Sequence, residues 1–302
     1  MLAQAPGKLV LSGAYAVLEG APAIVTAVDR FVVADTSRDA TFVTPEVRAA
    51  LGDAPAPWID ANALRREGRK LGLGSSAAIV VASLAALELE QDPAIPTDEL
   101  AERVWPTALR AHRQAQGGGS GIDVVTCAKG GTLCCWREPA GLQAQSHPLP
   151  SDLHVAVYAA REACATRDML KAVSAFAAVD PAAYATVVAA LTEASILAVD
   201  AVTAAGLAES VAAQVAYLTR LGDGAGVPIV PAGLRPTIRR ARDAGVCISP
   251  SGAGGGDIVL EIRPLGETES WAKQLAALGL SPLDVRIGAP GVCRLHNGAT
   301  CA

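Results

Sequence analysis

The chain has 302 residues, enough to bury a sizeable hydrophobic core in two domains or in one large one. Apolar residues make up 51% of it and charged residues 18%, which excludes an intrinsically disordered chain. A net charge of −5 and an aromatic content of 4% argue against a nucleic-acid-binding protein, because such proteins present basic patches and stacking side chains.

The cysteines and the apolar segments indicate the compartment. Seven cysteines without a CxxC pair, beside four histidines, predict reduced and buried thiols rather than a zinc site or a disulfide framework. The first residues lack the charged and apolar regions of a secretory signal, and apolar stretches such as residues 77–87 are too short to cross a bilayer. We therefore expect a cytoplasmic protein without a membrane or nucleic-acid partner, either a monomer or a homodimer.

The first half of the chain combines predicted strands and helices. Residues 8–20 and 22–37 are β-branched apolar runs that predict strands. Residues 75–91 predict a buried helix that begins with a serine cap. Residues 97–116 predict a second helix, kinked or broken near Pro106 because proline removes a backbone donor.

The remaining elements complete a mixed α+β pattern with one expected domain boundary. Residues 124–136 predict a strand and a turn, and the proline-rich patch at 139–151 separates a domain at 1–150 from one at 151–302. The second domain is predicted to contain, in chain order, a strand at 151–160, two or three helices within 168–221, a helix at 234–245, a strand at 257–264, a helix at 267–280 and a closing strand at 281–295.

Three stretches of small residues stand out: "GLGSSAA" at 72–78, "GGGSGID" at 117–123 and "SGAGGGD" at 251–257. The first precedes a predicted helix, where glycines let a ligand approach the backbone and free N–H groups attract anions. It predicts a phosphate cradle, although a glycine turn with a serine cap has the same composition, and no GK[ST] follows as in a Walker A loop. The other two are weakly specific alone, since close packing or a solvated turn explains them equally.

A lysine near the N-terminus adds a fourth feature. Lys8 stands in "APGKLVLSG", at the start of an apolar strand, where a buried ammonium is costly without a partner. In order and spacing, "APGKLVLSGAYAVLEG", "KLGLGSSAA" and "SPSGAGGGD" resemble the three motifs of the GHMP kinase superfamily of small-molecule kinases. The resemblance extends over about residues 5–290 and is strongest to phosphomevalonate kinases, through Lys70 before "GLGSS", "AHRQAQGGGSGID" and "AGVPIVP".

The resemblance implies a fold, a reaction and a site. The fold is the two-domain GHMP kinase fold, with an N-terminal mixed α/β domain and a C-terminal ferredoxin-like α/β domain. The reaction is ATP- and Mg²⁺-dependent phosphorylation of 5-phosphomevalonate to the diphosphate, a step of isoprenoid precursor synthesis. The resemblance also implies that the third motif lies beside the substrate and packs against the second motif. The implied site has catalytic Lys8 and Asp123; nucleotide-binding Lys70, Gly72, Leu73, Gly74, Ser75, Ser76 and Ala77; Ser76 also on the metal; and substrate-binding Tyr15, His112, Ser120, Arg161, Thr166, Ser251, Gly252, Ala253, Gly254 and Asp257.

Departures from the family keep two alternatives open. His112 stands where mevalonate kinases carry a magnesium-binding Glu, and Ala14 and Tyr15 replace residues of their first motif. These departures weaken the mevalonate kinase alternative, but a mevalonate kinase or another GHMP kinase stays possible. A catalytically inactive nucleotide- or metabolite-binding regulator on the same fold is the second alternative, to which Ala14 and Val230 leave room.

Overall fold

The computed structural model describes residues 1–160, 166–266 and 270–295, except the side chains of residues 166 and 167. The chain divides into two compact units. Unit 1 comprises residues 1–9, 25–133 and 285 onward, and unit 2 comprises residues 10–24 and 134–284. Each unit therefore consists of segments that are separated along the chain. The single boundary expected near residue 150 stays a prediction.

Runs of strands and runs of helices follow each other along the chain. From the N-terminus they are β1 (Leu2–Ser12), β2 (Ala23–Asp39), α1 (Pro45–Leu51), β3 (Pro57–Asp60), β4 (Arg65–Arg66), β5 (Arg69–Lys70), α2 (Ser75–Gln91), α3 (Thr97–Gln116), α4 (Ile122–Lys129) and β6 (Thr132–Glu138). The chain continues with β7 (Gly141–Ser146), β8 (Leu153–Ala159), α5 (Thr166–Val179), α6 (Pro181–Val199), α7 (Ala204–Ala225), α8 (Arg235–Asp243), β9 (Cys247–Pro250), β10 (Ile258–Pro264), α9 (Ala272–Ala276), β11 (Ser281–Leu283) and β12 (Cys293–Arg294).

Unit 1 is built on a sheet in which β1 lies between β12 and β2, with β3 also paired to β2. β1 and β12 pair antiparallel, so that Gln4 lies opposite Cys293. α2 packs against α1, α3 and α4. Its alanine- and valine-rich sequence is buried along most of its length, as an all-round apolar helix requires.

Unit 2 contains a four-stranded antiparallel sheet in the order β11-β8-β10-β9. A core cluster joins Tyr158 and Val259 of this sheet to Ala241 of α8 and Leu275 of α9. A second cluster joins α5, α6 and α7 through Val173, Leu191 and Val215, among other buried residues. Strands and helices thus form separate packed layers, as an α+β domain requires.

Several predicted elements match the structure and others are wrong. The predicted spans 22–37, 75–91 and 151–160 correspond to β2, α2 and β8, and the alanine-rich block forms the three helices α5, α6 and α7. The first strand ends at Ser12 instead of residue 20, and a 3₁₀ helix follows at Ala16–Glu19. α3 continues unbroken through Pro106. The predicted helix at 267–280 is reduced, in the described residues, to Ala272–Ala276.

The segment 124–136 is the clearest error, because its first part is helix α4 and not a strand. Three consecutive β-branched residues, Val124, Val125 and Thr126, favour a strand locally. Gly121, with φ of 84°, provides the left-handed turn that starts the helix, and the buried face of α4 packs on α2 and α3. Tertiary packing therefore overrides local propensity here, and it brings Asp123 into the first turn of a helix.

Two further expectations need correction. Cys127, Cys134, Cys135 and Cys247 are buried and outside any disulfide, as expected, but Cys293 is disulfide-bonded. In the described residues, α6 is long and apolar enough to cross a membrane by length and composition, with a mean hydropathy of 1.7. Such a helix is weak evidence of a membrane span, since core helices pass the same test. Part of α6 is buried against α7.

Candidate functional site

The turn before α2 in unit 1 has the geometry of an anion cradle. Gly72 and Gly74 both adopt left-handed backbone angles, with φ of 78° and 76°. Gly74 is the N-cap of α2 and no side chain caps the helix, so the predicted serine cap is wrong. The first N–H groups of a helix lack intrahelical acceptors and lie at the positive end of its dipole. The start of α2 therefore offers its backbone donors to an anion.

Lys8 of β1 lies directly against this turn. Its backbone N–H donates to the Leu73 carbonyl at 2.9 Å. A Cβ added at Gly74 would lie 2.9 Å from Lys8 Cε and 3.0 Å from its Cγ, so the lysine stem crosses the glycine. Because Nζ is bonded to Cε, the ammonium lies beside the start of α2. The strand and the glycine turn together fix a positive charge next to the cradle.

Asp123 and His112 face the same helix start. His112 Nε2 is 3.2 Å from Ser76 Oγ and 3.5 Å from Asp123 Oδ2. The other oxygen of Asp123 accepts the Val124 N–H at 2.9 Å, within the first turn of α4. The His112 side chain is 10% exposed and that of Asp123 23%. One imidazole thus links the first turns of α2 and α4.

The buried Cys127 thiol of α4 lies near both Lys8 and Asp123, whose opposite charges act on its pKa. Burial is the main reason why the pKa of Cys127 is raised above its usual value, and the Asp123 carboxylate raises it further. The Lys8 ammonium acts in the opposite direction on the same thiol and lowers its pKa. Lys8 and Asp123 therefore both lie within electrostatic range of one buried atom of α4.

Other predicted residues of this unit contribute differently. Leu73 is buried, so it offers only its backbone to the cradle. Lys70 is exposed on β5, where its backbone pairs with Arg65 of β4. Ser120 contributes its carbonyl, which accepts a hydrogen bond from the Arg113 guanidinium at 3.0 Å. This bond fixes the glycine loop that leads into α4.

The glycine-rich loop at 251–257 belongs to unit 2, where Tyr15 and Ser251 hold it. The Tyr15 hydroxyl donates to the Ala253 carbonyl at 2.7 Å, and burial raises the pKa of this phenol, which keeps it a donor. Ser251 Oγ accepts the Val10 N–H at 2.9 Å and donates to the Val10 carbonyl at 3.1 Å. A Cβ at Gly254 would lie 2.3 Å from the Ile229 carbonyl oxygen, so only glycine fits.

Tyr15 itself is held in an unusual conformation. Its φ of 64° lies in the left-handed region, which is uncommon for a residue with a bulky side chain. Backbone strain of this kind persists only where surrounding contacts maintain it, and it is frequent at functional sites. Here the contacts are the bond to Ala253 and the burial of the ring.

Gln214 of α7 is a residue that the sequence analysis missed. Its Oε1 accepts the Gly13 N–H at 2.8 Å, and its Nε2 donates to Ser12 Oγ at 2.8 Å and to the Ala194 carbonyl at 3.2 Å. All of these contacts lie within unit 2. A glutamine at a buried position of an otherwise apolar helix face was the available signal, because a buried amide needs partners.

We expect Gln214→Leu to lower the free energy of unfolding by about 3 kcal/mol or more, since several buried polar groups lose a partner together. Urea unfolding of the purified chain measures this value. Gln145→Leu, at an exposed position of β7, is the control and is expected to change it by less than about 0.5 kcal/mol. Equal stability of the two variants would mean that the Gln214 bonds do not hold the Ser12–Gly13 turn.

A cleft of unit 1 also escaped the sequence analysis. It has a volume of 470 Å³. The residues lining it are Thr41, Phe42, Trp58, Ile59, Asp60, Ala61, Asn62 and Arg65. One face of the Trp58 ring carries the Arg38 guanidinium at 3.5 Å. The Leu71 N–H donates to the Leu64 carbonyl at 3.1 Å, which ties the end of the cleft segment to the residue before Gly72.

The remaining predicted substrate residues stay predictions. Arg161 lies outside the described residues, and the side chain of Thr166, the first residue of α5, does too. Gly252 belongs to the turn after β9, with φ of 72°. The Asp257 carbonyl accepts the Ala160 N–H at 3.0 Å, so its backbone continues the sheet.

The residues around the cradle suit a cation that is shared with a ligand. Among the described residues, no three His, Cys, Asp or Glu side chains cluster as a metal site. Mg²⁺ characteristically takes one or two protein oxygens and completes its shell with phosphate oxygens and water. Ser76 Oγ and Asp123 Oδ2, both close to His112 Nε2, are oxygens of this kind. The site therefore fits a magnesium–nucleotide complex better than a free ion.

Comparisons with known proteins agree with this geometry. Residues 63–131 match the family "GHMP kinases N terminal domain". A mevalonate kinase from Archaeoglobus fulgidus is 31% identical over 154 residues, which are 44% of this chain and 51% of that protein. The alignment thus spans about half the length of this curated relative.

Solved structures resemble the chain over nearly its full length. A Lin0012 protein from Listeria innocua superposes with a TM-score of 0.81 and 23% identity, covering 97% of this chain and 99% of the other. Streptococcus pneumoniae phosphomevalonate kinase in complex with phosphomevalonate and AMPPNP gives 0.75 and 19%, covering 95% and 99%. At such identities the likeness establishes the fold, and the predicted α+β GHMP kinase fold is confirmed.

Proposed function

We propose that the chain is a small-molecule kinase that uses ATP to phosphorylate 5-phosphomevalonate, giving 5-diphosphomevalonate, in line with the match of residues 63–131 to the GHMP kinase N-terminal domain family. One observation carries the proposal: the Lys8 side chain lies across Gly74, at the uncapped start of α2. A fixed ammonium beside free backbone donors is what two anions need in order to approach each other. Phosphorylation of a phosphate requires such an approach, because donor and acceptor are both negatively charged.

The nucleotide is proposed to lie along unit 1. Its phosphates would take the N–H groups of residues 72–77, and Ser76 and Asp123 would hold Mg²⁺, which would neutralise negative charge. The base takes the cleft that contains Trp58, whose ring offers a stacking surface, and Asn62, whose amide both donates and accepts hydrogen bonds. The Leu64–Leu71 bond supports this arrangement because it connects the cleft segment to the cradle.

The transfer itself needs little proton chemistry. The second pKa of a phosphate monoester is about 6, so the acceptor oxygen is ionised near neutral pH. That oxygen forms a bond to the γ-phosphorus, the bond from this phosphorus to the β–γ bridging oxygen breaks, and ADP leaves. Lys8 stabilises the charge on the transferring group, and Asp123 orients Lys8 or the cation. The residues that the family resemblance assigns to the acceptor include Tyr15, Ser120, Arg161, Thr166, Ser251, Gly252, Ala253, Gly254 and Asp257, and Lys70 would attract its extra phosphate.

A mevalonate kinase is the second candidate, because the curated relative with 31% identity has that activity. Its acceptor is a hydroxyl, which does carry a proton, so Asp123 would then serve as a general base. A cytoplasmic location and a monomeric or homodimeric state belong to both proposals.

The test is an ADP-release assay with mevalonate and 5-phosphomevalonate side by side. We expect kcat/KM for 5-phosphomevalonate to exceed that for mevalonate by about 100-fold or more, because an extra dianion engages fixed positive charge. Lys70→Met should reduce this preference, with Lys171→Met, at another exposed lysine, as the control. Equal or faster turnover of mevalonate would contradict the proposed acceptor. Tight ATP binding without turnover of either acceptor would favour an inactive regulator.

A further inference from the structure

His112 connects two helices at the cradle through a single ring nitrogen. Nε2 lies 3.2 Å from Ser76 Oγ and 3.5 Å from Asp123 Oδ2. The ring comes from α3, which packs against both α2 and α4. Its side chain is almost buried, whereas 23% of the Asp123 side chain is exposed. The imidazole therefore lies behind the two oxygens, away from solvent.

Both oxygens need an outside partner to have one orientation. A serine hydroxyl in the first turn of a helix has several rotamers, and hydrogen bonding selects among them. Asp123 uses Oδ1 for the Val124 N–H, which leaves Oδ2 for the imidazole. His112 Nε2 is the side-chain atom that the two have in common among the described contacts.

We propose that His112 is a positioning residue, which holds the Ser76 hydroxyl beside the Asp123 carboxylate and toward the nucleotide phosphates without touching the substrate. The inference rests on the proposed kinase function. If Nε2 carries the proton, Ser76 Oγ and Asp123 Oδ2 both accept from it, and the serine proton points to a phosphate. If Nε2 is unprotonated, it accepts the serine proton and the serine lone pairs face the cation. In both tautomers the nitrogen fixes the serine rotamer.

Two substitutions distinguish positioning from bulk packing. A glutamine amide extends as far as Nε2 of histidine, whereas an asparagine amide extends only as far as Nδ1. We expect His112→Asn to lower kcat by about 10- to 100-fold, the cost of a small misplacement of reacting groups, with the acceptor KM changed by less than about threefold. His112→Gln should retain kcat within about fivefold of the wild type. His147→Asn and His147→Gln, at a histidine outside the cradle, are the matched controls and should leave kcat unchanged.

A double-mutant cycle then tests whether His112 acts through Ser76. In a Ser76→Ala background, His112→Asn should cost less than about threefold in kcat, because the atom it positions is gone. Thermal unfolding of every variant identifies loss of fold. If His112→Asn and Ser76→Ala have additive effects in folded variants, or if the Gln and Asn variants are equally impaired, the inference is overturned.

The same double-mutant cycle can be measured through ATP binding alone, without an acceptor. If the wild-type chain binds Mg²⁺–ATP but phosphorylates neither mevalonate nor 5-phosphomevalonate, the proposed acceptor fails. Calorimetric ATP dissociation constants for the four members of the cycle then decide the role of His112. Non-additive dissociation constants support positioning, and additive ones overturn it. A wild-type chain that binds no ATP refutes the proposed function and this inference together. Additive or non-additive dissociation constants, in contrast, decide only the role of His112.

Discussion

Lys8→Met is expected to lower kcat for 5-phosphomevalonate by about a hundredfold or more, or about 3 kcal/mol in the activation free energy. Methionine keeps the stem that crosses Gly74 and removes only the ammonium. The donor and acceptor phosphates then approach each other without the neutralising charge beside the start of α2. Steady-state kinetics with saturating ATP measure the loss, and ATP affinity measured separately shows whether the cradle is intact.

Asp123→Asn is the comparison that gives this result its meaning. It keeps the shape and part of the hydrogen bonding of Asp123, so a residue that only orients Lys8 or the cation should lose less activity than Lys8→Met. The pH–rate profiles of the wild type and of Asp123→Asn between pH 5.5 and 9 should show the same ionisations. If Asp123→Asn is the more damaged variant and an ionisation disappears with it, Asp123 is a general base. The acceptor is then a hydroxyl, as in the mevalonate kinase candidate.

Gly74→Val is expected to weaken ATP binding by at least about a hundredfold while the fold survives, because the new side chain fills the space of the phosphates and displaces Lys8. The added Cβ would lie 2.9 Å from Lys8 Cε, and φ of 76° is unfavourable for a β-branched residue. Isothermal calorimetry gives the affinity, and circular dichroism reports the fold.

Gly245→Val separates the two causes of that effect. Gly245 has a similar φ of 74°, but an added Cβ there meets open space. This control should show the backbone strain as a modest loss of stability and leave ATP binding intact. A folded Gly74→Val variant with wild-type affinity would make the turn a structural element only, and the cradle would have to be sought elsewhere.

The sequence allowed the elements with strong local signals to be predicted. α2 was predicted with both of its ends because its alanine- and valine-rich run is bounded by glycines and by Asp92. α4 was not, because Gly121 and the packing against α2 and α3 start a helix where the β-branched residues favour a strand. α3 continues through Pro106 because its apolar face is buried, at the cost of one backbone hydrogen bond.

The site could be predicted in part, for the same reason. Lys8, Ser76 and Asp123 stand in motifs that resemble a known family. In the structure the start of α2 contacts Lys8 at Gly74, and it is linked to Asp123 through His112. Gln214 is separated from its partner Gly13 by 201 positions along the chain. The Trp58 cleft is made by residues without a motif. Long-range contacts of both kinds are decided by packing, which local patterns do not encode.

The pairing of β1 with β12 has a consequence for how the chain matures. Gln4 lies opposite Cys293, so the short strand that pairs with the start of β1 is translated only after all of unit 2. Until then the backbone groups around Ala3 and Gln4, at the start of the strand that carries Lys8, lack their β12 partners. Open strand edges of this kind invite wrong pairing with other chains. The nascent chain therefore passes through a stage at which the start of β1 is an open strand edge, until residues 293 and 294 have been synthesised.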